Sequence, residues 1–180
     1  MGKVIRMKKS EIKIFTTLIV AIFLVSSAYA ATLCSYKGPS PDAPDNLQLS
    51  DFLVSGDSPV SVGDFARVSF SIRNVDQQQM PIKLAEYGIL VRAKSPSGDV
   101  RIFGYSYKNY ELKPQEKISL ASGGGYLNEE GTWIIWPSYH IKLPTGGAKY
   151  GPDEWHACVI KVAPKAPPSL PDLTIAEIKC

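Results

Sequence analysis

His156 and Cys158 stand two positions apart in an apolar run, so on a β-strand their side chains would project to the same side. A His–Cys pair could hold a metal or activate a thiol. A zinc site, however, takes about four ligands, and the chain has no close pair of cysteines. A nucleophilic thiol needs an activating histidine placed across the fold, and only His140 and His156 are available. Asp42, Asp45 and Asn46 carry oxygens suited to calcium, but without the regular spacing of a calcium loop. Ser122-Gly123-Gly124-Gly125 reads as a flexible run. It lacks the following helix and the matching Lys and Ser or Thr that a phosphate cradle requires. No catalytic set, cofactor motif or metal site is expected.

The residues most suggestive of binding are aromatic. Phe103, Tyr105 and Tyr107 alternate along one apolar run, so period-two geometry places the three rings on one strand face. Exposed, such a row could stack on sugar rings or dock a protein. Turned inward, it would be one face of a β-sandwich core, which is the ordinary use of aromatic side chains.

The elements that would position these residues read as strands. Residues 68–72 alternate cleanly, with Val68, Phe70 and Ile72 on one side and Ser69 and Ser71 on the other. Leu47, Leu49, Phe52 and Val54 suggest an earlier strand with a slip in its alternation, the mark of a bulge. Strands over 87–93 and 100–107 flank Ser95-Pro96-Ser97-Gly98-Asp99 as a hairpin. A short strand is expected over 117–121 and a last strand of the body over 155–162. After the corner Glu130-Gly131, the run Thr132-Trp133-Ile134-Ile135-Trp136 is apolar on both faces, which predicts a central strand covered on both sides. With 180 residues, 44% hydrophobic content, and 14 Gly and 14 Pro clustered between apolar runs, the chain has material for one domain of many short elements. About seven strands with regular turns predict an all-β, immunoglobulin-like antiparallel β-sandwich.

Residues 1–30 read as a secretory signal peptide. Lys3, Arg6, Lys8, Lys9 and Lys13 precede an apolar run that ends in small residues, with cleavage expected between Ala30 and Ala31. Left uncleaved, the segment would be the chain's one membrane contact. Setting aside those five cations and Glu11 leaves 15 basic and 16 acidic residues, so the formal charge of +3 belongs to the export segment. No basic patch argues for nucleic acid. Residues 31–46 are expected as a mobile linker, 47–163 as the sandwich, 164–171 as a Pro-rich spacer and 172–180 as a terminal strand. That strand has three readings: the start of a second repeat, a return onto its own sandwich, or a donor strand for self-association into a filament. Three cysteines, Cys34, Cys158 and Cys180, leave one over if any two pair. Cys34–Cys158 and Cys158–Cys180 both remain open, as does no disulfide at all.

Four local patterns carry a family resemblance. Val62-Gly63-Asp64 leading to Asn74 resembles the opening of prokaryotic extracellular immunoglobulin-like modules. Leu112-Lys113-Pro114-Gln115-Glu116 and Glu130-Gly131-Thr132-Trp133 resemble turns of the CARDB group, a cell-adhesion-related family of archaeal and bacterial surface proteins. Gln115 stands where that group has Gly, and Trp133 where it has Tyr. Pro171-Asp172-Leu173-Thr174-Ile175-Ala176-Glu177-Ile178 is similar to the opening of a CARDB repeat. The resemblance implies a secreted or cell-surface module that binds or spaces other surface proteins or glycans, with no catalytic residues.

Overall fold

The computed structural model describes residues 30–167. The expected export segment up to residue 29, the expected terminal strand over 172–180 and Cys180 lie outside the described residues. Within them, two antiparallel sheets face each other. One has the order β1 (Ala31–Tyr36), β2 (Leu47–Gly56), β3 (Phe65–Asn74), β7 (Lys117–Tyr126). The other runs β10 (Cys158–Val162), β8 (Gly131–Lys142), β4 (Ile82–Lys94), β5 (Val100–Ser106). Short strands β6 (Glu111–Leu112) and β9 (Ala148–Tyr150) add to β4 and β8 respectively. The result is a β-sandwich-like domain with ten strands among the described residues, against about seven expected from the sequence.

Alternation explains the core. Val68, Phe70 and Ile72 point inward from β3 and are buried, as their spacing predicts. Opposite them lie Ile89, Val91 and Ala93 of β4 and Trp133, Ile135 and Tyr139 of β8. The slip expected in β2 is present: pairing with β3 shifts between Ser50 and Leu53, and Asp51 takes a φ of 57°. The shift turns Phe52 and Val54 inward alongside Leu47 and Leu49. Strand β8 is central, with β4 on one side and β9 and β10 on the other, and both its faces are covered. Its entry corner is held by Gly131, at φ 123°, and by a hydrogen bond donated by Trp133 Nε1 to the Glu129 carbonyl at 2.9 Å.

The two open sides of the sandwich close by different means. On one side, edge strands β1 and β10 are joined by a Cys34–Cys158 disulfide with a Cα–Cα distance of 6.1 Å. On the other, β5 and β7 approach through bare backbone. A Cβ on Gly104 would lie 3.0 Å from Gly123 Cα, and one on Gly125 would lie 2.6 Å from the Phe103 ring. The glycine run is thus part of a strand, where its lack of side chains permits close approach. It is not the flexible loop that its composition suggests.

Two further expectations are corrected. Residues 31–36, expected as part of a mobile linker, form β1, because Leu33, Cys34 and Tyr36 pack on the core and the disulfide anchors the strand. The rest of the expected linker is clamped by its own acids. Asp42 accepts from Trp155 Nε1 at 2.6 Å and pairs with His156 Nε2 at 2.8 Å, while Asp45 accepts from the Tyr139 hydroxyl at 2.7 Å and Lys149 Nζ at 2.6 Å. Burial, and then the Asp45 contact, push the Tyr139 hydroxyl well above the ordinary tyrosine range. The last strand begins at Cys158, so Trp155 and His156 belong to the preceding turn, where His156 has a φ of 49°. In the turn Leu112–Glu116, Gln115 sits at φ 61°, the left-handed region that glycine enters most easily.

Candidate functional site

The expected aromatic row does not survive the fold. In the β4–β5 pairing, Val91 faces Gly104 and Arg92 faces Ile102, which leaves Phe103 as the extra residue of a bulge. One extra residue reverses the side-chain alternation. Phe103 therefore turns inward, 7% exposed, with its ring centroid 5.8 Å from that of Trp133. Tyr105 turns outward and is 52% exposed. Tyr107 lies past the strand end at φ 61° and packs on Tyr110 at 5.3 Å. The three rings face three different surroundings.

In place of the row, the outer face of the six-stranded sheet gathers rings that are far apart in sequence. Tyr105 meets Tyr87 edge-on at 5.4 Å, and Tyr87 lies 5.5 Å from His140 and 6.2 Å from Tyr150. His140 and Tyr150 pair directly across β8 and β9, and their rings stack at 4.4 Å with planes 14° apart. The Arg92 guanidinium lies 5.2 Å from the Trp136 ring and 5.1 Å from the Tyr150 ring, and it pairs with Asp153. A cation between two aromatic faces is held in place by the ring quadrupoles. Trp136 and Ser138 sit on this same outward side of β8, yet both are fully buried, and neither Trp136 Nε1 nor Ser138 Oγ has a hydrogen-bond partner.

Sequence reasoning named His140 only as a candidate thiol activator, and did not single out Tyr87 or Tyr150. A signal for His140 and Tyr150 existed: Pro144-Thr145-Gly146-Gly147 is a hairpin turn, and pairing outward from it sets Tyr150 opposite His140. Nothing local announced Tyr87, which reaches the cluster because β4 lies between β5 and β8.

His140 makes the cluster pH-sensitive. Burial holds its imidazole below the ordinary histidine range, against a smaller opposing pull from Glu86. Its Nδ1 accepts from the Tyr87 backbone N–H at 3.4 Å. A folded-state value below the unfolded one means that the unfolded chain binds the proton first as pH falls. The domain should therefore lose stability as pH drops through about 6.5, the unfolded histidine value. The loss should level off once pH is below the folded value. Thermal melts at pH 7.5, 6.5 and 5.5 check this. A His140→Phe chain should show a shallower drop over that window, and an identical drop would assign the loss to other groups.

His156 and Cys158, set aside above as a metal or thiol pair, are each engaged elsewhere. The Cys158 sulfur is bonded to Cys34, and the His156 ring is held by Asp42 and packed on Tyr36 at 4.7 Å. Among the described residues, no group of three or more His, Cys, Asp or Glu side chains converges as a metal-ligand set.

Fold and surface together define a disulfide-tied, two-sheet antiparallel β-domain with a solvent-facing aromatic cluster on one sheet. No protein-family model and no curated protein matches the chain.

Proposed function

We propose that this chain is an extracellular immunoglobulin-like module of adhesive type that holds carbohydrate through the Tyr87–Tyr105–His140–Tyr150 face. The carrying observation is the cluster itself: Tyr105 and Tyr150 are 52% and 40% exposed on a rigid, doubly braced sheet. Exposed aromatic faces offer the C–H faces of sugar rings a large apolar contact at little conformational cost. The Arg92 guanidinium, 5.1 Å from the Tyr150 ring, adds a donor suited to sugar oxygens. Export through residues 1–30 is supported by the Cys34–Cys158 bond, since disulfides persist in oxidising compartments. The role is binding rather than catalysis, which fits the structural engagement of both His156 and Cys158.

A glycan array probed with the oxidised domain tests the proposal. The wild type should bind at least one class of neutral oligosaccharide, and the Tyr105→Ala, Tyr150→Ala double variant should bind about tenfold or more weakly, as expected when central aromatic anchors are removed. Undiminished binding by the double variant would take the function away from this face.

A further inference from the structure

The outer face of the four-stranded sheet carries a separate groove of about 410 Å³, bounded by Leu53, Ser55, Phe65, Arg67, Ser69 and Ser122. Its origin is a second bulge. Val68 pairs with Gly123 and Phe70 with Leu120, so Ala121 and Ser122 of β7 stand against Ser69 alone. A bulge takes backbone groups out of the ladder and leaves them available to a ligand. The adjacent backbone is bare: a Cβ on Gly124 would lie 2.4 Å from the Ala66 carbonyl oxygen and 2.6 Å from the Phe65 ring. Phe65 therefore lies across the glycine, and Tyr126 of β7 meets its ring edge-on at 5.1 Å.

The arginine at this groove differs from the other three described arginines. Arg92 and Arg101 each pair with a carboxylate, Asp153 and Glu129 respectively, and Arg73 donates to the Gln115 carbonyl. Arg67 is exposed, lies across from Gly124, and has no ion pair among the described residues. Its guanidinium lies 5.8 Å from the Phe65 ring. No acidic side chain lines the groove, and Ser55, Ser69 and Ser122 line it. The groove thus combines one cation without an ion pair, three hydroxyls, a β-bulge and the apolar walls of Leu53 and Phe65.

We propose that this groove is a second binding site, for a uronic acid residue of a glycan. The planar guanidinium of Arg67 is matched to a carboxylate, to which it can donate two parallel hydrogen bonds. Serine hydroxyls both donate and accept, as ring hydroxyls require. Leu53 and Phe65 meet the apolar side of the sugar ring. The site lies on the opposite sheet from the aromatic cluster and stands independently of it.

Calorimetric titration of the oxidised chain with sodium glucuronate, paired with backbone amide NMR, tests the assignment. Shifts should centre on Ser55, Arg67, Ser69 and Ser122. Arg67→Gln should weaken binding about tenfold or more while leaving the melting temperature unchanged, because the side chain is exposed. Ala121→Phe, at an exposed position on the rim, should abolish binding by filling the groove. The Tyr105→Ala, Tyr150→Ala variant should bind glucuronate like the wild type, which separates this site from the aromatic face. Glucose and acetate should each bind about tenfold more weakly than glucuronate. The proposal fails if glucuronate does not bind or its shifts fall elsewhere, if Arg67→Gln binds unimpaired, or if acetate binds as well as the sugar acid.

Discussion

Replacing Cys34 with Ser should cost about 5 kcal/mol of stability, the largest effect expected of any single substitution here. The bond closes a loop of 124 residues, and the loop-closure entropy removed from the unfolded chain grows with the logarithm of that length. For a domain of this size the loss corresponds to a fall in melting temperature of roughly 10–20 °C. The location adds to the effect. Strand β1 pairs with β2 alone on its sheet, and the sulfur bridge is its covalent tie to the facing sheet. Without it, β1 should fray first, releasing the Asp42 and Asp45 clamps with it. Calorimetry of the wild type and Cys34→Ser, together with hydrogen exchange over 31–46, reads both consequences. A thiol titration supplies the control: unfolded without reductant, the chain should show at most one reactive thiol, from Cys180, and three after reduction. Three thiols before reduction would refute the pairing, and an unchanged melting temperature would refute its energetic weight.

Trp133→Ala should cost about 4 kcal/mol, within the range found when a fully buried aromatic side chain is cut back. Trp133 has no exposed surface and lies between the sheets against Phe103. Its truncation leaves a cavity that Phe103 and Gly125, already in close contact, are poorly placed to fill. It also strips the Glu129 carbonyl of the indole donor that holds the corner into β8. Trp136 provides the comparison. It is just as buried but lies on the outer side of the sheet, and its indole N–H has no partner to lose. Trp136→Phe should therefore destabilise less than Trp133→Phe, the difference reflecting one hydrogen bond of about 1 kcal/mol. Urea unfolding of the two variants measures it directly. Equal losses would mean that the Glu129 contact contributes nothing.

The alternation of β3, the bulge in β2, the β4–β5 hairpin and the doubly covered strand at Trp133–Trp136 were all legible in the sequence. Each is local, set by the period-two projection of side chains and by turn residues within a few positions. The same rule misjudged the aromatic row, because its period holds only while a strand stays in register. The Phe103 bulge forms where the bare backbone of Gly104 meets Gly123 on the other sheet, a contact made by residues 19 positions apart. Composition also misjudged residues 31–46 and the glycine run. Polarity and small size describe how a segment behaves in water, not what it finds once two sheets close around it.

By itself, then, the sequence determined the all-β class and the faces of the regular strands. Only the tertiary structure decided which of the open cysteine pairings forms, which tyrosine reaches solvent and which arginine is left without a hydrogen-bond partner among the described residues. The reason is physical. Strand faces follow from bond geometry along the chain, whereas a disulfide, a ring cluster or an unpaired charge depends on which distant atoms the packed sheets bring within a few ångströms.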